Sequence, residues 1–191
     1  MQTNKISNTQ SGYILGLYFG DGYIHYHKKS RHYTTEFYLN SIKDQDICQL
    51  LKEILTKRGH NVFITKDKRG NWLRIKVNSK DLYTYIKSYN PINLEKETKS
   101  FKLGFVSGFV DAEGYVGNST INVTNTDFDL LKEITKMLNE LNIRSSLKKR
   151  AKSKKDKKDC FRLLISTNIK NKNHISQKIL RSYPKNKEIL P

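Results

Sequence analysis

The sequence predicts an α+β fold made of two copies of one αββαββα unit, related by a pseudo-two-fold axis. The main observation is a repeat: Gly12–Tyr23 returns as Gly104–Tyr115, with each matching position 92 residues later. A second echo follows at a shorter spacing, where Leu50–Ile54 returns as Leu130–Ile134. Repeated units usually bury their apolar faces against each other. We therefore expect one compact unit of two similar halves.

The first half, residues 1–92, reads as helix, two strands, helix, two strands and a final helix. Apolar periods near 3.6 indicate the helices, and periods of two indicate the strands. In the second strand, Phe37 and Leu39 are expected to face the core. Gly59 should end the second helix, and Pro91 marks the linker. The predicted elements are Ser11–Gly20, Tyr23–Lys28, Tyr33–Asn40, Asp44–Arg58, Asn61–Lys66, Trp72–Asn78 and Lys80–Tyr89.

The second half, residues 93–191, repeats this order with different loop lengths. A lysine-rich stretch, Lys148–Lys158, falls between its last two strands. We interpret it as a solvated hairpin tip, as a contact to a nucleic-acid backbone, or as both. The predicted elements are Thr98–Ala112, Tyr115–Asn125 for the first strand pair, Asp127–Leu141, Ile143–Arg150, Phe161–Thr167 and Asn171–Ser182.

The composition indicates a polyanionic partner. The chain has 36 Lys and Arg against 18 Asp and Glu, a net charge of +18. Nucleic acid fits this charge, whereas no apolar run approaches the roughly 20 residues that span a bilayer. Cys48 and Cys160 form no metal-ligand pattern, and the first residues lack the apolar region of a signal peptide. We expect an intracellular protein, in an archaeal or bacterial cytoplasm or an organelle, with no membrane partner.

Small residues form a narrow stripe along each copy of the repeated helix. Positions four apart lie on one helix face, and an interior glycine costs about 1 kcal/mol relative to alanine. Such stripes allow two helix backbones to approach closely, and this packing can offset the cost of the glycines. We therefore expect the two helices to pack directly against each other. The stripes are Gly12, Gly16 and Gly20 in the first copy and Gly104, Gly108 and Ala112 in the second.

An acidic residue follows the last small residue of each stripe. If the helices pack in parallel, Asp21 and Glu113 leave the same end of the pair side by side. Carboxylates at helix C-termini gain nothing from the helix dipole and repel each other, so a bound cation would stabilise them. Oxygen ligands favour Mg²⁺, and such a site suits phosphodiester hydrolysis. The alternative is two ordinary acidic helix ends, each followed by a glycine.

These segments resemble the two signature motifs of a monomeric LAGLIDADG homing endonuclease. The motif copies are Ile14–Gly22 and Val106–Gly114, in which the small positions and the final acid and glycine fit. The initial leucine is replaced in both copies. The resemblance covers essentially the whole chain, because the order of elements in each half fits as well.

The resemblance implies two saddle-shaped antiparallel sheets along the DNA major groove and a protein that works as a monomer. It implies that Asp21 and Glu113 hold two or more Mg²⁺ or Mn²⁺ ions, with help from the main-chain carbonyls of Gly20 and Ala112. Cleavage of both strands of a long target would leave 3′ overhangs. Basic or polar residues near the scissile phosphates are expected to assist. The candidates are Lys43, Asn125, Lys96 and Lys187.

By the same resemblance, the sheet faces opposite the core should contact DNA bases. Alternation along the strands selects the outward residues, and Arg pairs with guanine and Asn with adenine. In the first half these residues are His25, His27, Glu36, Tyr38, Asn40, Arg74, Lys76 and Asn78. In the second half they are Asn122, Thr124, Lys148, Arg150, Arg162 and Ser166.

Three functions compete on this fold. A metal-dependent, site-specific endonuclease uses both acids. An intron RNA maturase uses the same fold, with or without cleavage, and would add intron RNA as a partner. A DNA-binding protein without cleavage arises when the acids are lost, so the presence of both argues against it. A structural RNA-binding protein of another class fits the charge, but not the duplicated acid-ended helices.

Overall fold

The computed structural model describes residues 6–67, 70–117, 120–151 and 158–166. The first half contains, in order, α1 (Asn8–Asp21), β1 (Gly22–His27), β2 (His32–Asn40), α2 (Gln45–Lys57), β3 (Val62–Lys66), β4 (Trp72–Asn78) and α3 (Lys80–Lys87). A 3-10 helix (Pro91–Lys96) leads to the second half, which contains α4 (Lys99–Glu113), β5 (Gly114–Val116), β6 (Thr120–Asn125), α5 (Phe128–Glu140), β7 (Ser145–Lys149) and β8 (Phe161–Ser166).

Two four-stranded antiparallel sheets share one strand order. The first runs β1-β2-β4-β3 and the second runs β5-β6-β8-β7. Gly22 pairs with Phe37 in the first sheet, and Gly114 pairs with Val123 in the second, so the registers correspond. The duplicated α+β fold is thus confirmed.

Helices α1 and α4 pack backbone to backbone through their glycines. A Cβ atom at Gly12 would lie 2.1 Å from the carbonyl oxygen of Phe101, and one at Gly16 would lie 2.0 Å from that of Phe105. The contacting positions rise together along the two helices, so α1 and α4 run in parallel, which was the condition for the two acids to meet. The reverse contacts are equally short, at 2.0 Å from Gly104 to Thr9 and 2.2 Å from Gly108 to Tyr13.

The sheets cover this helix pair with one apolar face each. Phe37 and Ile75 of the first sheet and Val123 and Leu163 of the second are buried. Helices α2 and α5 are amphipathic and bury Leu51 and other apolar residues against the same core. The opposite face of each sheet stays open, and we call it the outer face.

The predicted helix starts were partly displaced, because capping residues lie upstream of the apolar periodicity. Ser7 caps α1 through a capping box with Gln10, so the helix begins at Asn8 rather than Ser11. Thr98, predicted as the first residue of the second copy of this helix, instead precedes α4 and caps it by accepting from the N–H of Phe101. The linker forms a 3-10 helix that was not predicted.

Other local predictions have mixed outcomes. Gly59 ends α2 with a φ of 88°, and the Ser79 hydroxyl caps α3 by accepting from the N–H of Leu82. The range Tyr115–Asn125 holds two strands, as expected for that pair. The predicted helix Asn171–Ser182 lies outside the described residues, as does much of the lysine-rich stretch.

Candidate functional site

The two helix ends bring the acids together. Helix α1 ends at Asp21 and α4 ends at Glu113, and each is followed by the glycine that begins a strand. A Cβ atom at Gly20 would lie 2.3 Å from the Cβ of Ala112 and 3.2 Å from the Cγ of Glu113. The parallel packing therefore places both carboxylates at one end of the helix pair, where the two sheets begin.

Burial and mutual repulsion make ionisation of these acids unfavourable. Burial raises the pKa of Asp21 to about 6, and the charge of Asp44 adds to the rise. Burial also raises the pKa of Glu113 to about 6, with the charge of Asp21 adding to it. Carboxylates held near each other in this way favour a bound cation over the empty charged pair.

Asn125, one of the candidate assisting residues, lies beside Glu113. Its side-chain amide donates to Oε1 of Glu113 at 3.3 Å. The side-chain oxygen Oδ1 of Asn125 accepts from the N–H of Asp127 at 2.9 Å. This bond orients the side-chain amide so that its NH2 group faces Glu113. Asn125 therefore holds an amide N–H against one of the two carboxylates.

Lys43 lies in the loop between β2 and α2, which is longer than the corresponding loop between β6 and α5. Asn40 accepts from the N–H groups of Ile42 and Lys43, at 2.9 and 3.0 Å, which leaves the Lys43 side chain exposed. Asp44 accepts from the N–H of Asn40 at 2.8 Å and makes no capping bond to α2. In the second half, Asp127 does cap α5.

Sequence reasoning missed Asp44 as part of the site. The sequence does show an acid just after the second strand. The proximity of Asp44 to Asp21, however, depends on the longer loop after β2. The link between Tyr13 and Asp111 was missed as well. The Tyr13 hydroxyl donates to the Asp111 carboxylate at 2.6 Å across the α1–α4 interface.

The structure corrects the assignment of Lys96 to the site. Lys96 ends the 3-10 helix, three residues before α4 begins, whereas Glu113 ends α4. An α-helix of 15 residues is about 22 Å long, and Lys96 is at the opposite end from the acid. Lys187 lies outside the described residues.

The outer face of the first sheet carries the residues predicted for it. His25 faces Thr34, Glu36 faces Lys76, and Tyr38 faces Arg74 across the strand pairs. The alternation places the remaining predicted side chains on the same face: His27, Asn40 and Asn78. Their role as DNA contacts stays a prediction.

Glu36 is not free to act alone on this face. Its side chain is only 7% exposed, and it forms an ion pair with Arg74 while accepting from the Tyr38 hydroxyl at 2.6 Å. Burial raises the pKa of Glu36, but the hydrogen bonds and positive charges around it outweigh burial and hold the pKa below its ordinary value.

The outer face of the second sheet is assembled in the same way. Asn122 faces Leu164, Thr124 faces Arg162, and Lys148 also faces Arg162. Ser166 pairs with Thr120, and Arg150 follows β7 with its N–H bound to the carbonyl of Cys160. Thus the two outer faces offer different side chains at matching positions.

Exposed aromatic residues on these faces were not predicted as site residues. Tyr23 is 53% exposed and Tyr115 is 72% exposed, and each follows an acid by two positions. Phe63 and Trp72 are also exposed on the first sheet. The sequence could have indicated the two tyrosines, because the repeat aligns Tyr23 with Tyr115.

The donor set at the helix ends fits a divalent cation of the Mg²⁺ class. It consists of two carboxylates with neighbouring main-chain carbonyls, and oxygen ligands of this type suit Mg²⁺ with water and substrate completing the shell. Across the described ranges, no group of three or more His, Cys, Asp or Glu side chains gathers as a metal cluster. Within the same ranges, no helix is long and apolar enough to cross a membrane.

Comparisons with known proteins agree with this geometry. The family model of a LAGLIDADG-like domain matches residues 100–174. Variants of the homing endonuclease I-DmoI superpose with a TM-score of 0.70 at 21% identity, over 93% of this chain and 92% of that chain. The family model and the shared fold support membership of the LAGLIDADG family. I-DmoI in complex with DNA and Ca superposes with a TM-score of 0.69 at 22% identity, over the same shares of both chains.

Two other matches are more distant in sequence or longer than this chain. The N-terminal LAGLIDADG domain of WhiA has a TM-score of 0.59 at 15% identity, over 87% of this chain and 78% of that chain. An uncharacterized protein of Methanocaldococcus jannaschii is 33% identical over 138 residues, which are 71% of this chain. They are 49% of that protein, so the chain spans about half the length of the curated relative it matches.

Proposed function

We propose that this LAGLIDADG protein is a site-specific endonuclease that cuts both strands of DNA with divalent metal ions. The observation that carries the proposal is the juxtaposition of Asp21 and Glu113 at the parallel ends of α1 and α4. The two sheets start directly after these acids, so a duplex lying along the outer faces would pass over them. The net charge of +18 favours such a polyanion.

Asp21 and Glu113 would hold Mg²⁺ or Mn²⁺, with the carbonyls of Gly20 and Ala112 as further ligands. The bound ions would neutralise charge on the phosphate and make water a better nucleophile. Asn125 would fix the orientation of Glu113 through its amide. Lys43 projects from the neighbouring turn and would add positive charge near the phosphates.

Each half of the chain, residues 1–92 and 93–191, would read one half of a long target as a monomer. The family resemblance favours cleavage that leaves 3′ overhangs. Solved structures of I-DmoI support a DNA partner, because that endonuclease forms complexes with DNA in the presence of Ca, Mn or Mg.

The test is selection of a target from random double-stranded DNA, followed by cleavage assays with Mg²⁺ or EDTA. Asp21→Asn and Glu113→Gln should lower the cleavage rate by at least about a thousandfold while target affinity changes little. Retained cleavage in both variants would exclude the proposed metal role. Binding of intron RNA in preference to DNA would instead favour the maturase.

A further inference from the structure

Arg74 lies at the centre of the outer face of the first sheet. It is on β4, an inner strand, and faces Tyr38 on one side and Thr65 on the other. Its side chain keeps 45% of its surface exposed, although it is bound to a glutamate that is almost fully buried. The guanidinium is therefore anchored and accessible at once.

The anchor is the carboxylate of Glu36, and both of its oxygens are engaged. Oε1 accepts from Nη2 of Arg74, and Oε2 accepts from the hydroxyl of Tyr38 at 2.6 Å. Lys76 faces Glu36 directly across the strand pair and adds positive charge. A carboxylate held in this way is a poor acceptor for a cytosine amino group, which is the base contact that a free glutamate can make in the major groove.

We infer that Glu36 is a positioning residue, and that with Tyr38 it fixes the Arg74 guanidinium to read one guanine of the target. This inference rests on the proposed function as a DNA endonuclease. A guanidinium has five N–H donors, and a bond to Glu36 leaves most of them for O6 and N7 of guanine. Because Arg74 is ordered before DNA arrives, less side-chain freedom is lost on binding, and misaligned bases are tolerated less.

The second sheet has an arginine at the position that matches Arg74, but it lacks the matching glutamate and tyrosine. The pairing of Gly22 with Phe37 and of Gly114 with Val123 matches Glu36 to Asn122, Tyr38 to Thr124 and Arg74 to Arg162. An amide and a short hydroxyl side chain therefore stand where the carboxylate and the tyrosine stand in the first sheet. Arg162 faces Lys148, a second cation, where Arg74 faces Thr65.

The comparison predicts unequal discrimination at the two base pairs that these arginines face. Arg74 should discriminate strongly, about tenfold or more against the wrong base, as expected of a good bidentate contact. Arg162 should contribute affinity with a weaker base preference. The base preference at Arg162 therefore serves as a control within the same protein for the effect of Glu36 and Tyr38 on Arg74.

The experiment measures binding rather than cleavage, in Ca²⁺, on the full chain. Dissociation constants are determined for the selected target and for all single base-pair substitutions. Arg74→Ala locates the base pair that Arg74 reads. Glu36→Leu should then reduce the preference at that base pair by about tenfold and leave the pattern elsewhere intact. Tyr38→Phe should reduce it by a smaller factor, and Glu36→Gln, which keeps an acceptor, should preserve part of it.

Two further variants control for charge and test sufficiency. Glu53→Gln on α2 also removes one negative charge, so it should raise general DNA affinity without changing the base preference facing Arg74. The double variant with Asn122→Glu and Thr124→Tyr builds the anchor beside Arg162 and should sharpen the preference at the base pair facing it. If Glu36→Leu does not fold, Tyr38→Phe and this double variant still decide the matter.

An unchanged preference in Glu36→Leu and Tyr38→Phe would overturn the inference while leaving DNA binding in place. A uniform loss at every position of the target would also overturn it, because that pattern indicates a structural role. If the unmodified chain binds no double-stranded DNA, the proposed function fails, and this outcome is distinct from the other two.

Discussion

The Tyr13 hydroxyl donates to the Asp111 carboxylate at 2.6 Å and links α1 to α4. The offset of 92 residues matches Tyr13 to Phe105 and Asp111 to Phe19, and those two aromatic rings contact each other at a centroid distance of 5.7 Å. One side of the helix pair therefore has a hydrogen bond where the other has an aromatic contact. The pseudo-two-fold relates the backbones but not the interactions.

This difference predicts unequal losses of stability for two matched substitutions. Tyr13→Phe should lower the free energy of unfolding by about 1 kcal/mol, because one hydrogen bond to a carboxylate is lost. Phe105→Tyr should cost more, because it places a hydroxyl in a fully buried position against Phe19. Urea unfolding of both variants measures the two values. An unchanged free energy of unfolding in Tyr13→Phe would contradict a stabilising role of this hydrogen bond at the interface.

The glycine stripe predicts that a glycine-to-alanine substitution in α1 lowers the stability of the protein instead of raising it. Glycine to alanine normally stabilises the interior of a helix by about 1 kcal/mol. Gly16→Ala should instead destabilise by about 3 kcal/mol or more, because its Cβ would lie 2.0 Å from the carbonyl oxygen of Phe105 and force the helices apart. Thermal unfolding would show the loss as a lower Tm.

Gly59→Ala is the control for this experiment. Gly59 has a φ of 88° but no atom within 4 Å of an added Cβ, so only backbone strain of about 1 kcal/mol is expected. Equal losses at both positions would show that close packing of α1 and α4 contributes little. A selective loss at Gly16 would support the backbone contact.

The raised pKa values of Asp21 and Glu113 predict how the metal-free protein responds to pH. Both values are about 6 in the folded chain, above their ordinary values near 4. The folded state therefore binds these protons more tightly than the unfolded state. From these two groups, the stability should fall as pH rises from about 4 to about 6, and stay lower above that. Tm measured in EDTA across this range checks the direction.

Neutral variants and metal addition extend the same prediction. At pH 7.5 in EDTA, Asp21→Asn should raise Tm by a few degrees, since about 1 kcal/mol corresponds to about 2–4 °C in a domain of this size. Addition of Mg²⁺ should raise the Tm of the unmodified chain and have little effect on the variant. A variant that gains as much from Mg²⁺ would show that the ion binds elsewhere.

Asp44 offers a separate prediction for the asymmetry of the site. Its charge raises the pKa of Asp21, whereas Asp127, its counterpart before α5, caps a helix instead. Asp44→Asn should therefore lower the pKa of Asp21. Asp127→Asn should leave the pKa of Glu113 unchanged, and NMR titration of the carboxyl carbons compares the two. An equal change at both acids would contradict the role of the longer loop.

Much of the fold and the central acids could be predicted from the sequence, because the repeat carries both. Constant spacing aligned the glycines, and parallel packing of the stripes then required Asp21 and Glu113 to meet. The partners on the sheets could not be found this way. Glu36 and Arg74 are 38 residues apart on adjacent strands, and their contact depends on a register that alternation along each strand does not specify. The proximity of Asp44 to Asp21 depends on the length of the loop after β2. The position of Lys96 depends on the 3-10 helix in the linker, which the sequence pattern does not predict.

The unlike outer faces have a consequence for how a duplex would lie on the protein. A perfectly symmetric pair of sheets would accept DNA equally well after a half-turn. Here Glu36, Tyr38 and Lys76 stand on one side where Asn122, Thr124 and Leu164 stand on the other. A half-turn would bring each half-site against the wrong set of side chains. The backbone symmetry therefore does not require a palindromic target, and the bound duplex would have a preferred direction, with a defined strand assigned to each acid.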